Sequence, residues 1–393
     1  MDKVIKFRKD RKFNKKKLYI VIAIIILIIL VITSAIIYNT NKNFRNFMDR
    51  YIFRKDVTEE NVPIIEIDYD SNTNIFTYGK YICVLAENTL NEYSASGKKE
   101  KEVKIEINNP IYDVNGKYLV IAENNSQKIY LISEDHVIWE KNIDGNLNKV
   151  TVNKNGYVCA IVTGTTHKAV ISTFDTKGNE LFKTYLSNTI AVDAYVSPDN
   201  SKFAYAEVNN SGTVIQSNIK IISIKDVKEK NTEAKYTYNA PQDSLILRIK
   251  YQDKNQLICM YDDGIHKFES GVDVELVKLN EDNPKITFAD IGLDGHIFRT
   301  YEKSTGIFSA DTVIEIQNTS NGKESIYTIE EVAKAVDSCN NVIAINLGDE
   351  VYFIDTNAWL IKRYTSSQVI EKIILGDGVA GIIYRDKIEI VNL

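Results

Sequence analysis

Proline and glycine are scarce in this sequence, 5 and 18 among 393 residues, which excludes a collagen-like repeat and leaves no room for a Pro/Gly-rich stalk. Tryptophan is rarer still, with Trp139 and Trp359 the only two. The four histidines, His136, His167, His266 and His296, stand singly, without an HExxH motif or a pair at metal-ligand spacing. They fall in different stretches of chain and could share a metal only by converging on a central channel; for His136 and His167, near turns, solvated imidazoles are expected. Asp68-Tyr-Asp70-Ser-Asn72-Thr-Asn74 has the spacing of the start of a calcium loop. Thr73, however, stands where the sharp turn needs glycine, and Gly79 where a bidentate glutamate belongs, so the stretch reads as a polar turn. There is no GxSxG elbow, no GxxxxGK[ST] phosphate loop and no GxGxxG fingerprint. No catalytic, cofactor-binding or metal-ligating residue is therefore assigned, and no cofactor is expected.

What the chain has in quantity is apolar and aromatic side chains, 44% and 10%, with 23 tyrosines and short runs of Ile and Val throughout. That suffices for a large core and favours strands over helices. The one long apolar run is Leu18 to Ile37, uncharged, with Thr33 and Ser34 its only strongly polar side chains and Tyr19 and Tyr38 at its ends. About 20 helical residues at ~1.5 Å each cover a hydrocarbon core of ~30 Å. Lys3, Lys6, Arg8, Lys9, Arg11, Lys12, Lys15, Lys16 and Lys17 precede the run, against Asp2 and Asp10. A cleavable signal peptide would have a shorter apolar region and a small-x-small site, for which Ser34-Ala35-Ile36 is a poor match. The sequence thus predicts a basic cytoplasmic tail over 1–17, a single transmembrane helix over 18–38, a juxtamembrane linker over 39–60 and an extracytoplasmic domain over 61–393. In the linker, Phe44, Phe47, Met48 and Tyr51 recur at helical spacing. Without the basic tail the remainder is more acidic than the overall net charge of −5, which argues against nucleic acid as a partner.

Beyond the linker a turn followed by a short apolar run keeps returning, and this periodicity decides the fold. Gly79-Lys80 leads into Tyr81–Leu85, Asn115-Gly116-Lys117 into Tyr118–Ala122, and Asn155-Gly156 into Tyr157–Ile161. Pro198-Asp199-Asn200 precedes Phe203–Glu207, Lys254-Asn255 precedes Leu257–Tyr261, and Asp294-Gly295 precedes Ile297–Tyr301. Asn340-Asn341 precedes Val342–Asn346, and Gly376-Asp377-Gly378 precedes Val379–Ile383. The runs start 37 to 54 residues apart, the spacing of four-stranded propeller blades. Most are apolar at consecutive positions, so both faces are covered; a two-sheet sandwich would alternate. Further strands follow at Lys128–Ile132 and Val137–Lys141 around a turn at Ser133–His136, and at Ala169–Phe174 and Leu181–Tyr185 around Asp175–Gly178. Val351–Ile354 and Trp359–Tyr364 repeat the pattern, and Val332–Val336 reads as a first strand.

The expected fold is therefore an all-β propeller of about eight four-stranded blades, with seven as the alternative, preceded by one transmembrane α-helix. The last blade begins at Val369 and runs out at Leu393 after three strands; Ile64–Ile67 is its expected fourth, beside Lys387–Val391, which removes two exposed edges. Asn209–Gly212 and Asp226–Gln242 read as long surface loops. Cys83, Cys159 and Cys259 take one shared position of the second strand in alternate units, where Val120 and Ala344 stand elsewhere. Alternate blades hold these positions beyond the ~7 Å that a disulfide spans, so buried free thiols are expected. Cys339 is placed in a turn.

Phe174-Asp-Thr-Lys-Gly-Asn-Glu-Leu-Phe182 and Tyr130 to Trp139 give a pattern of strand, Asp-x-x-Gly turn and aromatic strand that resembles quinoprotein-like propellers. Val196-Ser-Pro-Asp-Asn-Ser-Lys-Phe203 looks like the blade turn of TolB-type propellers, a WD40-like architecture. The whole is similar to clostridial-type single-pass membrane proteins with an extracytoplasmic propeller. The resemblance covers about residues 62–393, and its motifs specify a fold rather than an activity. Quinone-cofactor dehydrogenases carry a tryptophan-rich cofactor floor and acidic calcium ligands, which two tryptophans do not supply.

The function expected is a non-catalytic binding or scaffold module of the bacterial cell envelope, not an enzyme, with an envelope protein or wall polymer as partner and contact zones on the two loops. The alternative is a degenerate quinoprotein-like or polysaccharide-acting enzyme using channel carboxylates, which would need two acids close together at the channel mouth.

Overall fold

The computed structural model describes residues 15–40, 48, 52, 62–67, 73–228, 233–280, 284–306, 309–366 and 368–393. The stretch Asp68 to Asn72 and the linker residues Phe44, Phe47 and Tyr51 lie outside the described residues. The chain divides into two units, Met1–Val57 and Thr58–Leu393. In the first, helix α1 spans Lys15–Thr40, 26 residues, or about 39 Å at the usual rise. Its described side chains from Ile22 onward are mostly exposed Ile, Leu and Val, with Ala23, Thr33, Ser34, Ala35 and Tyr38 among them. Among the described residues no helix is long and apolar enough to cross a membrane; the expected span also takes in Leu18 and Val21, whose side chains are not among those described.

The second unit is a ring of eight four-stranded antiparallel sheets. Blade 1 spans residues 74–104, blade 2 110–142, blade 3 146–186 and blade 4 190–239. Blade 5 spans 246–278, blade 6 286–329, blade 7 335–365 and blade 8 372–392. First strands of neighbouring blades touch one another at most of the seams, so they are innermost and line the channel. The second strands fall where the repeat placed them: Tyr81–Ala86, Tyr118–Glu123, Val158–Thr163, Lys202–Asn209, Gln256–Tyr261, His296–Ser304, Val342–Asn346 and Val379–Ile383.

Each second strand serves two cores, because alternate side chains leave opposite faces of a pleated sheet. In blade 1, Cys83 and Leu85 pack toward blade 2, while Ile82 and Val84 pack toward blade 8. Likewise Val120 and Ala122 pack with blade 3, and Leu119 and Ile121 with blade 1. The buried apolar residues form one cluster per seam all round the ring. The seam between blades 5 and 6 is the thinnest, with Ile258, Ile265, Ile291 and Ile297 its fully buried members.

Ring closure follows the expected route. Ile64–Glu66 pairs antiparallel with Lys387–Asn392, matching Ile65 to Ile388, so the outer strand of blade 8 comes from the start of the domain. Blade 8 also meets blade 1 at the inner turns: the Asp377 N–H donates to Gly79 O at 2.8 Å. A Cβ on Gly376 would stand 2.6 Å from that same oxygen, so only glycine permits the approach. The Asp-x-x-Gly turn of blade 3 is equally constrained. Asp175 Oδ1 accepts from the Lys177 and Asn179 N–H groups, and Gly178, at φ +80°, lies where a Cβ would be 2.9 Å from the Trp139 ring of blade 2.

Several expectations are corrected. Asp226–Gln242 is not loop throughout: the end of a short helix, Ile224–Lys228, and the fourth strand of blade 4, Tyr236–Asn239, fall within it. The first strand of blade 7 is Ala335–Cys339, not Val332–Val336, so Cys339 ends a strand. Blade 8 starts at Lys372, with Val369 exposed before it. The turn expected at Ser133–His136 narrows to Glu134-Asp135, since Ser133 and His136 pair as strand residues. Cys83, Cys159, Cys259 and Cys339 are free thiols, the first three buried. Cys259, however, faces blade 4 behind it, whereas Cys159 faces blade 4 ahead of it. The shared position therefore does not hold in blade 5, where Cys259 stands on the opposite face of the sheet from Cys83 and Cys159.

Glu92, in the third strand of blade 1, is fully buried, neither carboxylate oxygen has a hydrogen-bond partner, and Lys101 Nζ stands 3.7 Å away. Burial pushes this carboxyl up to about 7, against the Lys101 cation and with help from the charge of Asp135. The folded protein therefore holds this proton more tightly than the unfolded chain, and stability must fall as pH rises from the ordinary carboxylate range through 7. Glu92→Gln should flatten that decline in melting temperature. For the closing strand, Ile65→Ala should cost about 2–4 kcal/mol, whereas Ile64→Ala, at a half-exposed position, should stay within ~0.5 kcal/mol; denaturant melts of both variants check the closure.

Candidate functional site

The first strands carry what the apolar second strands cannot: charged side chains. Running round the channel, these are Asp113 in blade 2, Lys149 in blade 3, Asp193 in blade 4, Arg248 and Lys250 in blade 5, Asp290 in blade 6, Asp337 in blade 7 and Lys372 in blade 8. Blade 1 contributes Phe76, whose ring stacks on Tyr112 at 4.3 Å.

Most of these groups are tied to the next blade. Asp113 Oδ2 accepts from the Val152 N–H at 2.8 Å. Asp193 is fully buried; its Oδ1 meets Lys149 Nζ at 2.9 Å and its Oδ2 accepts from the Ile249 N–H at 3.0 Å. Arg248 Nη1 donates to Asp290 Oδ1 at 2.9 Å, and the Ser338 hydroxyl donates to Asp290 Oδ2 at 2.6 Å. Thr151 bonds the Ala194 carbonyl and Thr77 the Leu375 carbonyl; Asn340 reaches Asp377 across the last seam. The belt stitches the inner ring seam by seam.

Burial raises several of these acids. It pushes Asp113 up to about 6, against the Val152 N–H and the Arg248 and Lys149 cations, with the charge of Asp193 adding to the rise. Asp193 is raised by burial against the same kind of opposition from Lys149, and Asp337 by burial with Asp290 adding to it. Asp113 thus feels the charge of Asp193, and Asp337 that of Asp290. Burial also drives the Tyr195 phenol far up.

At one end of the channel the turns between first and second strands enclose a basin of about 970 Å³ to which all eight blades contribute. These are the turns that announced the repeat, among them Gly79, Gly116, Asp199, Asn255, Asp294, Asn340 and Asp377. The rim is chained together: Asn155 Nδ2 donates to Pro198 O, Lys202 Nζ to Lys254 O, and Gln252 Nε2 to Leu293 O. A smaller pocket of about 290 Å³ opens among the inner strands of blades 2 to 5, between Tyr112, Asp113, Asn148, Lys149, Tyr195 and Arg248.

The histidines do not converge. His136 is exposed at the start of a fourth strand, and exposed His167 bonds Ser187 through Nδ1 at 3.0 Å. His266 is buried in the third strand of blade 5 with Nδ1 on Asp273 Oδ1 at 2.8 Å, and His296 opens the second strand of blade 6. Among the described residues no cluster of His, Cys, Asp or Glu is placed to hold a metal ion. Sequence reading missed the inner belt altogether. The signal was present as charges interrupting short first strands, such as Val192-Asp193-Ala194 and Val336-Asp337-Ser338.

Residues 54–393 match a family model described as Family of unknown function (DUF5711). No curated protein matches the chain. Among solved structures it is similar to the C-terminal WD40 domain of Sif2, at 13% identity over 85% of this chain and 99% of that one, with a TM-score of 0.56. It is similar also to the dihydro-heme d1 dehydrogenase NirN in complex with DHE, at 12% identity over 84% of this chain and 72% of that one, TM-score 0.50. BamB from Moraxella catarrhalis aligns at 11% identity over 84% of this chain and 100% of that one, TM-score 0.48. At these identities the likeness is one of fold, a WD40-like propeller.

Asp193 joins three blades, so Asp193→Ala should destabilise by about 3–5 kcal/mol, the usual cost of breaking a buried pair. Lys154→Glu on the exposed basin rim should change stability by no more than ~0.5 kcal/mol. Urea melts of the two variants give the comparison.

Proposed function

The chain belongs to this family of unknown function, and on that premise we propose that it is a membrane-anchored, extracytoplasmic binding module that holds a protein of the cell envelope at its channel mouth without turning over a substrate. The observation that carries the reading is the basin of about 970 Å³, built from turns of all eight blades. A rigid scaffold that gathers loops around one concavity is the usual architecture of a recognition surface. The basin presents both signs of charge, with Lys154 and Lys254 beside Asp199 and Asp253, which suits a polar protein surface or a wall polymer better than nucleic acid. The absence of turnover is supported by the employment of the channel acids: Asp193 and Asp290 each hold a cation and further hydrogen-bond donors. The anchoring part of the reading rests on the sequence, with its cationic tail before an uncharged run, and on the apolar side chains that α1 exposes.

A second reading keeps one observation in its favour. Asp113 lines the smaller pocket, and burial pushes its carboxyl up to about 6, a position that a general acid acting on a polysaccharide would use.

An alkaline-phosphatase fusion at Leu393 should be active, with the mature N-terminus at or near Met1; an inactive fusion, or an N-terminus near Ala35, would sink the anchored topology. Lys154→Glu with Lys254→Glu should lower recovery of crosslinked envelope proteins at unchanged melting temperature. Unchanged recovery would discard the basin as the contact zone, and loss of a measured turnover in Asp113→Asn would favour the enzyme.

A further inference from the structure

The smaller pocket carries a reading of its own, independent of the partner at the mouth. Its polar lining comes from four blades: Tyr112 and Asp113, Asn148 and Lys149, Tyr195, and Arg248. Structural duties use only part of this set. Asp113 spends Oδ2 on the Val152 N–H, and Oδ1 takes no further protein bond. Arg248 uses Nη1 on Asp290 and has four N–H donors left, with its side chain 40% exposed. Neither the Tyr195 nor the Tyr112 hydroxyl bonds a described residue, although the Tyr112 ring is held in place against Phe76. Lys149 is the one charged member already matched in full, against Asp193.

What remains is therefore one free anionic acceptor, one guanidinium edge and two phenols, facing a space at the small end of the range for ligand pockets. A simple anion would meet Asp113 and a simple cation would meet Arg248 and Lys149. A molecule that carries both charges a few ångströms apart satisfies each side. We infer that this pocket binds an amino-acid-sized zwitterion, its ammonium on Asp113 Oδ1 and its carboxylate between the Arg248 guanidinium and the Tyr195 hydroxyl. Ile111 and Val150, which also line the pocket, give a small apolar side chain a surface to cover. The position of Asp113 near 6 accords with this, because an ammonium neutralises a carboxylate that burial otherwise penalises.

The test is titration calorimetry on the full chain in detergent, with the twenty common amino acids and their D-forms as probes. The best binder is then compared with its decarboxylated amine and its deaminated acid. Each truncated analogue should bind at least tenfold more weakly, since each leaves one charged partner of the pocket unmatched. Affinity should be flat near neutrality and fall as pH drops through 6, when Asp113 takes up its proton. Tyr195→Phe, which keeps the ring, should weaken the amino acid about five- to tenfold and leave the melting temperature in place. Asp113→Asn should bring the amino acid down to the affinity of its deaminated acid; should that variant not fold, Tyr195→Phe and the analogue series decide alone. No binding by any probe at 10 mM, an amine or acid that binds as tightly as the amino acid, or unchanged affinity in a folded Tyr195→Phe would each overturn the inference. None of these failures touches the protein-docking reading at the basin.

Discussion

A strand that is apolar on both faces cannot rest in a sheet with one side in water, and that constraint organises the whole domain. Ile82, Val84, Cys83 and Leu85 are consecutive and buried, yet they belong to two different cores, one shared with blade 8 and one with blade 2. The same division holds at Val342 and Ala344 against Ile343 and Ile345. Every blade thus needs a neighbour on each side, and the only finite arrangement that supplies one to all is a closed ring. At 20–33 cal/mol per Å² of apolar surface, an open end would expose an entire blade face and the burial energy that goes with it. Closure by Ile64–Glu66 is the same requirement expressed in the backbone, since it gives the outer strand of blade 8 a partner drawn from the other end of the domain.

The ring has to narrow toward its axis, and there the chemistry changes. First strands have one flank against a seam and one against the channel, so they can carry charge where second strands cannot. The cost of holding Asp193 away from water is met locally, by Lys149 and by two backbone N–H groups, one of them from the next blade. Alternation of sign from Asp113 to Asp290 follows from this, because an acid beside a cation on the adjacent blade is stabilised and an acid beside an acid is raised. Asp337, beside Asp290, shows the second case.

How much of this could be read from the sequence depended on which flank a strand presents. All eight second strands were legible, because two-sided burial writes an unbroken apolar run flanked by a turn. The closing strand was legible too, since Ile64–Ile67 had no other partner and the last blade lacked one. First strands were harder: Ala335–Cys339 holds Asp337 and Ser338 in five residues, and the more apolar Val332–Val336 competed for the assignment. The fourth strand of blade 4 was hidden for a similar reason, since an outer strand such as Tyr236–Asn239 is half exposed and reads as loop. Cys259 was taken as equivalent to Cys83 and Cys159, but it lies on the opposite face, since alternation along a strand makes neighbouring positions inequivalent. The inner belt went unseen altogether, since its members stand about forty residues apart and only ring closure makes them neighbours.

The belt also explains why a propeller of this kind can hold a ligand without a recognisable motif. An inner-strand side chain that is tied to the adjacent blade through one atom keeps its other polar atoms for a further partner. Asp113 is the plainest instance, lining the pocket with Oδ2 on the backbone of blade 3 and Oδ1 without a further protein bond. Arg248 is another, held through a single nitrogen by blade 6. The structural bond removes the rotamer entropy that binding would otherwise have to overcome. Stitching the ring and preparing a polar site are therefore not competing uses of these residues. The first creates the rigidity that the second needs, and a family can change the residues that face the channel while the two-faced strands keep the ring closed.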